Sequence, residues 1–473
     1  MKIQHIFSKH LYMAVLTILL LNISCKKAVE VGPSAVALNS SNVFTSNSTA
    51  QSVVAGIFTK MASGAFYHGQ NSVSLSMGLA ADELTIFSTN SSLGAFYLNS
   101  YTPIAPPSFW TEFYKELFYC NTAINGISGS SQITPAVKKQ LLGEVKFIRA
   151  FIYFYAVNLY DTPPLTTTDD YTVNNTIGNS TPSAIYAQII QDLTDAQNSL
   201  ADNTYVDASG STVADRVRPN KQTASAMLAR VYLYMKDWKN AEAQASSVIA
   251  SSNYALVTNL GQVFLKASNE TIWALQPIST LYLNTMDANY LTVSAVYKTA
   301  QQLPLNKPLT DAFETGDKRM TNWVGTFTST TPITTFYYAN KYKALGGTSV
   351  PVTEYPIVMR LAEQYLIRAE ARAQQNNLSG AAADLNAIRS RAGLAVTTAA
   401  TQTDMLNAIY RERRVELFTE WGHRWFDLKR TGTLDAVMTA VKGTAWSSYK
   451  QLMPIPPTDI MADPNIKQNP GYN

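Results

Sequence analysis

The sequence predicts a mainly α protein built from tetratricopeptide-like helix pairs, with a loop-rich, partly β insert. Three observations carry that reading. Apolar residues recur at steps of three and four through 109–253 and again through 356–430. Two of those stretches share the register of a helix-pair repeat, with small residues at the helix contact and aromatics beside them. Between them, over 254–355, the helical period fades, and short β-branched and aromatic runs alternate with Pro, Gly, Asn and Thr.

Taken in order, Leu141, Val145, Ile148, Ile152, Tyr155 and Leu159 form one helix face. Phe147, Phe151 and Phe154 form another, so this helix is surrounded by other helices. It stops before Asp161-Thr162-Pro163-Pro164, because tandem prolines cannot continue it. Thr181 caps and Pro182 opens the next helix, which carries Ile185, Ile189, Leu193, Ala196 and Leu200. Within 221–253, Ala229, Tyr232, Trp238, Ala241 and Ala245 hold the positions of a tetratricopeptide unit, with Lys236-Asp237-Trp238 as its turn. A second unit spans 358–392 through Ala369, Leu378, Ala381, Leu385 and Ile388, with Arg372 where an aromatic is usual. One repeat cannot bury its own face, so the units should stack, although their separation excludes a plain solenoid. In the insert, 271–275 and 335–338 read as strands, and residues 60–108 look similarly loop-rich. Loops on a rigid helical frame are where binding surfaces usually sit.

Composition narrows the function classes. Of 473 residues only 15% are charged, against roughly 25% in ordinary proteins, while 11% are aromatic and 26 residues are Tyr. The formal charge is +4, and basic residues gather only in short clusters such as Lys26-Lys27 and Arg411, Arg413 and Arg414, which argues against nucleic acid as a partner. Four His and two Cys show no zinc-ligand spacing, so neither a metal nor a cofactor is expected. Cys120 sits in the helical apolar pattern of Trp110, Phe113 and Leu117 and reads as a buried small hydrophobe. There is no Gly-x-Ser-x-Gly, phosphate loop, dinucleotide fingerprint or His-Glu-x-x-His, so no enzyme activity is expected.

The N-terminus has its own logic. Lys2 and Lys9 precede an apolar stretch over 11–23, too short for a bilayer span of about 20 residues. It ends in Asn22-Ile23-Ser24-Cys25, which resembles a bacterial lipoprotein signal, with Asn22 where Leu is usual. The expected organisation is a signal peptide over 1–24, lipid attachment at Cys25, a small polar tether over 25–48 and a single domain over 49–473. Stable anchoring needs more than one acyl chain, and a bacterial lipoprotein carries several.

The C-terminal quarter holds the most specific strings. They include Tyr365-Leu366-Ile367-Arg368-Ala369-Glu370-Ala371, Leu385-Asn386-Ala387-Ile388-Arg389, and Arg411-Glu412-Arg413-Arg414-Val415-Glu416-Leu417. Gly422-His423-Arg424-Trp425-Phe426-Asp427-Leu428 follows, then Leu452-Met453-Pro454-Ile455-Pro456 and Asn469-Pro470-Gly471-Tyr472. With Ala81-Asp82-Glu83-Leu84 upstream, their order and spacing resemble the SusD/RagB family of outer-membrane lipoproteins from Bacteroidetes. The resemblance covers nearly the whole chain after Cys25. It implies four tetratricopeptide-like helix pairs, a loop-rich binding face, cell-surface capture of nutrient oligomers and a SusC-like TonB-dependent barrel as partner. SusD-like members take mostly glycans and RagB-like members take peptides. A protein-assembly scaffold binding no nutrient is a third reading.

Glycan capture needs flat apolar rings for sugar C–H faces, with amides and hydroxyls for sugar hydroxyls. Burying about 100 Å² of ring and sugar yields roughly 2.5 kcal/mol gross, so two or three rings make a weak, useful site. Tyr97, Asn99 and Tyr101, after Asp82, lie in the stretch that resembles the family's ligand-binding region. Tyr282, Asn289, Tyr290 and Trp323 are the candidates in the insert, with Asn284 as a further polar partner. Trp110, Trp238, Trp273 and Trp425 are assigned to the core. Arg411 to Glu416, and the Arg424/Asp427 pair three residues apart, read as helix-orienting charges.

Overall fold

The computed structural model describes residues 43–89, 92–278, 283–294, 302–346 and 350–472. Cys25, the signal segment, most of the tether and Tyr282 lie outside the described residues. The principal helices before the insert are α1 (Asn47–Ser63), α2 (Val73–Ala80), α3 (Ser92–Tyr97), α4 (Phe109–Gly129), α5 (Pro135–Tyr160), α6 (Pro182–Ser199), α7 (Lys221–Tyr234) and α8 (Trp238–Ala250). After it come α9 (Leu361–Gln374), α10 (Leu378–Arg391), α11 (Gln402–Glu416), α12 (His423–Arg430) and α13 (Leu434–Lys442).

Helix α5 runs through the centre, and every residue from Val145 to Val157 except Lys146 is buried. At roughly 1.5–3 kcal/mol per buried large apolar side chain, this one helix accounts for a large share of the core. It ends at Asp161, whose φ of 65° breaks the helical path ahead of the prolines. The two repeats become α7–α8 and α9–α10, and they do stack. Ala229, Leu233, Ala241 and Ala245 of the first share one apolar cluster with Ile367 and Ala371 of the second. Small side chains at that contact let the helices approach closely. Arg372, in place of an aromatic, instead bridges Glu242 on α8 (2.8 Å) and Asp384 on α10 (2.9 Å).

Most of the scaffold's few charges are spent in such bridges. Arg149 grips Asp192 between α5 and α6 at 2.7 and 2.8 Å. Arg230 of α7 grips Glu363 of α9 at 2.7 Å through both its Nε and Nη2. Arg430 of α12 holds Glu370 of α9 at 2.6 and 2.7 Å. Forked Arg–carboxylate contacts fix the angle between helices as well as their distance. The expected Arg424–Asp427 partnership does not form: Asp427 takes Arg413 (2.7 Å) and Arg430 (2.8 Å), while Arg424 reaches away to Asp82.

The insert leaves and returns through one antiparallel ladder. Strands β3 (Thr271–Ala274) and β6 (Ile357–Arg360) pair Ala274 with Ile357, so 275–356 is a closed excursion. Trp273 of β3 packs edge-on against Phe147 and Phe151 of α5, at centroid distances of 5.0 and 5.3 Å. Two short strands, β1 (Tyr205–Val206) and β2 (Thr212–Val213), pair upstream. Within the insert, β4 (Val324–Thr330) and β5 (Ile333–Ala339) form a hairpin. Residues 60–108 hold more helix than expected. All eight residues of α2 are buried, so its sequence has no polar face and no period to betray it.

Candidate functional site

A buried cluster of charge clamps the insert to the C-terminal helices. Arg360, at the end of β6, reaches Glu270 (2.9 Å), Glu416 (2.6 Å) and Glu420 (2.7 Å). Arg319 meets Asp317 (2.8 Å), Glu412 (2.7 Å) and Glu416 (2.8 Å). Arg391 adds bonds to Glu270 (2.6 Å) and Glu416. Lys341 sits on Glu420 (2.5 Å) and over the Phe418 ring at 3.9 Å, with burial pulling its ammonium down to about 8. Burial alone would raise the Glu416 carboxyl, but Arg391, Arg360 and Arg319 hold it well below the carboxylate range. Every member's side chain is buried and ion-paired, so this hub is architecture rather than a ligand site.

That geometry relocates several candidates. Trp323 is fully buried, with its indole N–H donated to the Leu260 carbonyl (2.9 Å) and Lys341 lying 5.1 Å from its ring centre. It is core. Tyr101 is buried and donates to the Lys450 carbonyl (2.9 Å). Asn99 is buried at a left-handed φ of 48° and donates to the Ala80 carbonyl at the end of α2 (3.1 Å). Asp82 is buried beneath two guanidinium groups, Arg414 (2.6 Å) and Arg424 (2.7 Å). Tyr101 and Asp82 thus have their polar groups taken by protein partners, and Asn99 has its amide nitrogen taken, while its Oδ1 is buried without a partner among the described residues; none of the three presents an open edge to solvent. Asn284 is likewise spent on the backbone of Pro351, Thr353 and Glu354.

Three candidates stay near solvent, all half-buried: Tyr97, Asn289 and Tyr290. Lys442 stands 4.3 Å from the Tyr97 ring centre and donates to the Tyr97 carbonyl (2.6 Å), so one ring face is taken. Asn289 accepts from the Gly346 N–H (2.9 Å), while its amide nitrogen has no acceptor among the described residues. Tyr290 accepts from the Leu303 N–H through its carbonyl (3.0 Å).

From Leu303 the chain runs into a small irregular sheet. Thr85 N–H donates to the Pro304 carbonyl (2.8 Å), Leu305 N–H to the Tyr337 carbonyl (2.8 Å) and Asn306 N–H to the Glu83 carbonyl (2.7 Å). These bonds line up the segment after α2, the 303–306 strand and β5. On that platform Phe87 and Phe336 meet edge to face, with ring centres 5.1 Å apart. Phe87 is 38% exposed, Tyr337 36% and Ile333, at the hairpin tip, 83%. Tyr338 lies across the paired Gly325, where any Cβ would sit 2.2 Å from its ring, so only glycine admits it. The candidate site is therefore the pair of rings Phe87 and Phe336, with Tyr337 on the opposite face of the hairpin. The Tyr290–Leu303 and Leu305–Tyr337 backbone bonds tie Tyr290 to the same platform, while half-buried Asn289 and Tyr97 make their contacts with Gly346 and Lys442 instead.

The sequence reading missed Phe87, Phe336 and Tyr337. The signal was present: 335–338 reads as a strand, and adjacent rings on an exposed hairpin cannot all face the core. None of the described residues form a group of three or more His, Cys, Asp or Glu placed to hold a metal, and no described helix is long and apolar enough to cross a membrane.

Comparison with known proteins agrees with this architecture. Residues 290–472 match the family model described as the SusD family. Residues 38–233 match the model described as starch-binding, associating with the outer membrane. The chain belongs to the SusD-like proteins. It is 23% identical to SusD-like protein P25 of Formosa agariphila, over 95% of this chain and 96% of the relative. It is 25% identical to the starch-binding protein SusD of Bacteroides thetaiotaomicron, over 79% and 80% of the two chains. A laminarin-binding SusD-like protein superposes with a TM-score of 0.76, at 24% identity over 90% of this chain and all of the other. A SusD superfamily protein from Bacteroides vulgatus superposes at 0.79, with 19% identity over 90% and 99%. The mainly helical SusD-like fold is thus shared at low sequence identity.

Proposed function

We propose that this SusD-like protein binds oligo- or polysaccharide at the cell surface and delivers it to a SusC-like TonB-dependent outer-membrane barrel. It is held there by lipid on Cys25, with the residues that follow as tether. The expected boundary at 48 moves toward the N-terminus, because Phe44 is buried in the core and α1 opens at Asn47, so the binding body includes both. It catalyses no reaction. The observation that carries this reading is the exposed aromatic loop face around Phe87 and Phe336, set on a fold whose relatives are named for binding starch and laminarin. Rings with neighbouring amides, and little charge, suit uncharged hydroxyl-rich polymers. Half-buried Tyr97, Asn289 and Tyr290 are the further sequence candidates that stay near solvent, and Tyr282, outside the described residues, remains a candidate from sequence alone.

Calorimetry of the unlipidated protein from residue 26 onward against starch- and laminarin-derived oligosaccharides, with peptide pools alongside, tests the ligand class. Saturable binding of at least one saccharide is expected. Binding of peptides alone would replace this reading with the RagB-type one, and binding of neither would leave the scaffold reading. Recovery of a TonB-dependent barrel with the lipidated protein from native membrane tests the partner. Loss of membrane retention in Cys25→Ala tests the anchor.

A further inference from the structure

The charges of Arg411-Glu412-Arg413-Arg414-Val415-Glu416 divide unevenly. Helix α11 turns Glu412, Arg413 and Glu416 inward, where each has a buried partner. Its other face, at spacings of three and four, carries Asp404, Asn407, Arg411 and, a turn on, Arg414. That face borders a cavity of about 690 Å³, lined also by Thr397, Tyr410 and Arg424. None of the rings of the aromatic loop face reaches it.

Positive charge is in excess here. Arg414 and Arg424 share a single carboxylate, Asp82. Glu83, which lines an adjoining small cavity with the same two arginines, offers no second charge, because burial and Asp82 push its carboxyl up to about 8. Arg411 is exposed and makes no hydrogen bond or ion pair with the described residues. Glu314 is the carboxylate that feels its charge, and Glu314 is already held by Arg389 at 2.6 and 3.1 Å. The buried Nε of Arg414 has no acceptor, and the Nη1 groups of Arg414 and Arg424 bond nothing in the described protein. Asp404 is the cavity's other acid, and it is engaged by the Thr401 hydroxyl at the start of α11 (2.7 Å). Burial, and after it the neighbouring Arg424, lowers the Arg414 guanidinium from its ordinary value, while burial at Arg424 is outweighed by the bond to Asp82, which raises it.

We infer that this cavity is a second, anion-selective subsite that takes the carboxylate or sulfate ester of an acidic saccharide. Resting on the glycan-binding reading above, it adds a charge criterion to it. Arg411 supplies the open guanidinium at the rim, Arg414 and Arg424 supply N–H edges on the wall, and Asp82 positions both by holding their other edges. Planar guanidinium forks match carboxylate and sulfate oxygens, and a partly enclosed cavity strengthens the attraction relative to open solvent. Asn407 is the neutral group available to sugar hydroxyls, and Tyr410, whose hydroxyl is already donated to Glu370 (3.3 Å), contributes ring surface to the lining.

The test uses the unlipidated protein from residue 26 onward and three probes: trigalacturonate, a sulfated galactan trisaccharide, and the same trisaccharide unsulfated. Inorganic sulfate is the control for a bare ion. Arg411→Gln/Arg414→Gln should weaken one or both acidic probes about tenfold, the loss of two charge-assisted contacts, and flatten their salt dependence. Whichever probe responds identifies carboxylate or sulfate as the source. Binding of a neutral glucan at the aromatic face should be unchanged. Should the double variant fold poorly, Arg411→Glu, at an exposed position with no bonds to lose, should weaken the acidic probe by at least the same factor. Wild-type protein that binds neutral saccharides but no acidic probe, equal acidic binding by wild type and variants, or binding of bare sulfate only would overturn this subsite. Absence of any saccharide binding would overturn the glycan-binding reading itself.

Discussion

The buried hub around Arg360 and the loop face around Phe87 use opposite chemistries within one protein. In the hub, the side chains of Arg319, Arg360, Arg391 and Lys341 meet those of Glu270, Asp317, Glu412, Glu416 and Glu420, all enclosed and drawn from segments far apart in sequence. On the loop face, rings and amides reach solvent on a sheet held by backbone hydrogen bonds. A chain with only 15% charged residues has spent much of its charge on fixing how the insert sits against the helices. Recognition is left to neutral groups, apart from the arginine-lined cavity where that pairing is incomplete.

The largest expected effect breaks the hub. Arg360→Met leaves Glu270, Glu416 and Glu420 short of a buried partner and should cost about 3–5 kcal/mol, the usual penalty for breaking a buried pair from one side. Denaturant unfolding reads this directly. Next comes Trp323→Phe, which keeps a ring but removes the donor to the Leu260 carbonyl. It should cost roughly 1–3 kcal/mol in stability and leave saccharide affinity unchanged. A loss of affinity without a loss of stability would return Trp323 to the binding surface.

Acid should loosen the scaffold in a defined window. Burial alone would raise Glu363, but Arg230 outweighs it and holds the carboxyl at about 2, below its ordinary 4.5. Burial lowers His423, next to Glu363, from 6.5 to about 4, so its neutral form is favoured in the fold. Both native values are depressed, so both contributions are complete at neutral pH. That of His423 is lost as pH falls from 6.5 through 4, and that of Glu363 from 4.5 through 2. Stability measured by chemical denaturation should decline throughout this fall, and His423→Gln should flatten its upper part. A profile in which stability rises from pH 6.5 to 4, in wild type relative to His423→Gln, would contradict the assignment.

How much of this was legible follows from range and period. The helices 141–159 and 182–200 and both repeat units were readable, because their apolar residues recur at helical spacing around a buried side. The stacking of the repeats was expected, and Ile367 and Ala371 meeting Ala241 and Ala245 realise it. Helix α2 was not readable, since burial on every side erases amphipathicity. Between 411 and 430, Glu412, Arg413 and Glu416 orient the helices as their spacing suggests, whereas Arg411 bonds nothing among the described residues; the partners themselves are not readable, because Arg424 pairs with Asp82 across 342 positions. The binding candidates fared worst. Tyr101, Asn99 and Trp323 resemble exposed loop residues in sequence, but each is buried by contacts from elsewhere in the chain. Conversely, Phe87 and Phe336 reach solvent because the bonds between 83–87, 303–306 and β5 place them there, which no local pattern announces.

The central claim is that recognition lives on the aromatic loop face and stability in the buried charges. Its most direct test is one calorimetric titration of the tightest-binding neutral oligosaccharide into wild type and Phe87→Ala/Phe336→Ala, beside denaturant unfolding of both. The double variant should bind at least about tenfold more weakly, roughly 1.4 kcal/mol, while unfolding within about 1.5 kcal/mol of wild type, the upper worth of an aromatic pair. Wild-type affinity in the double variant would contradict the account.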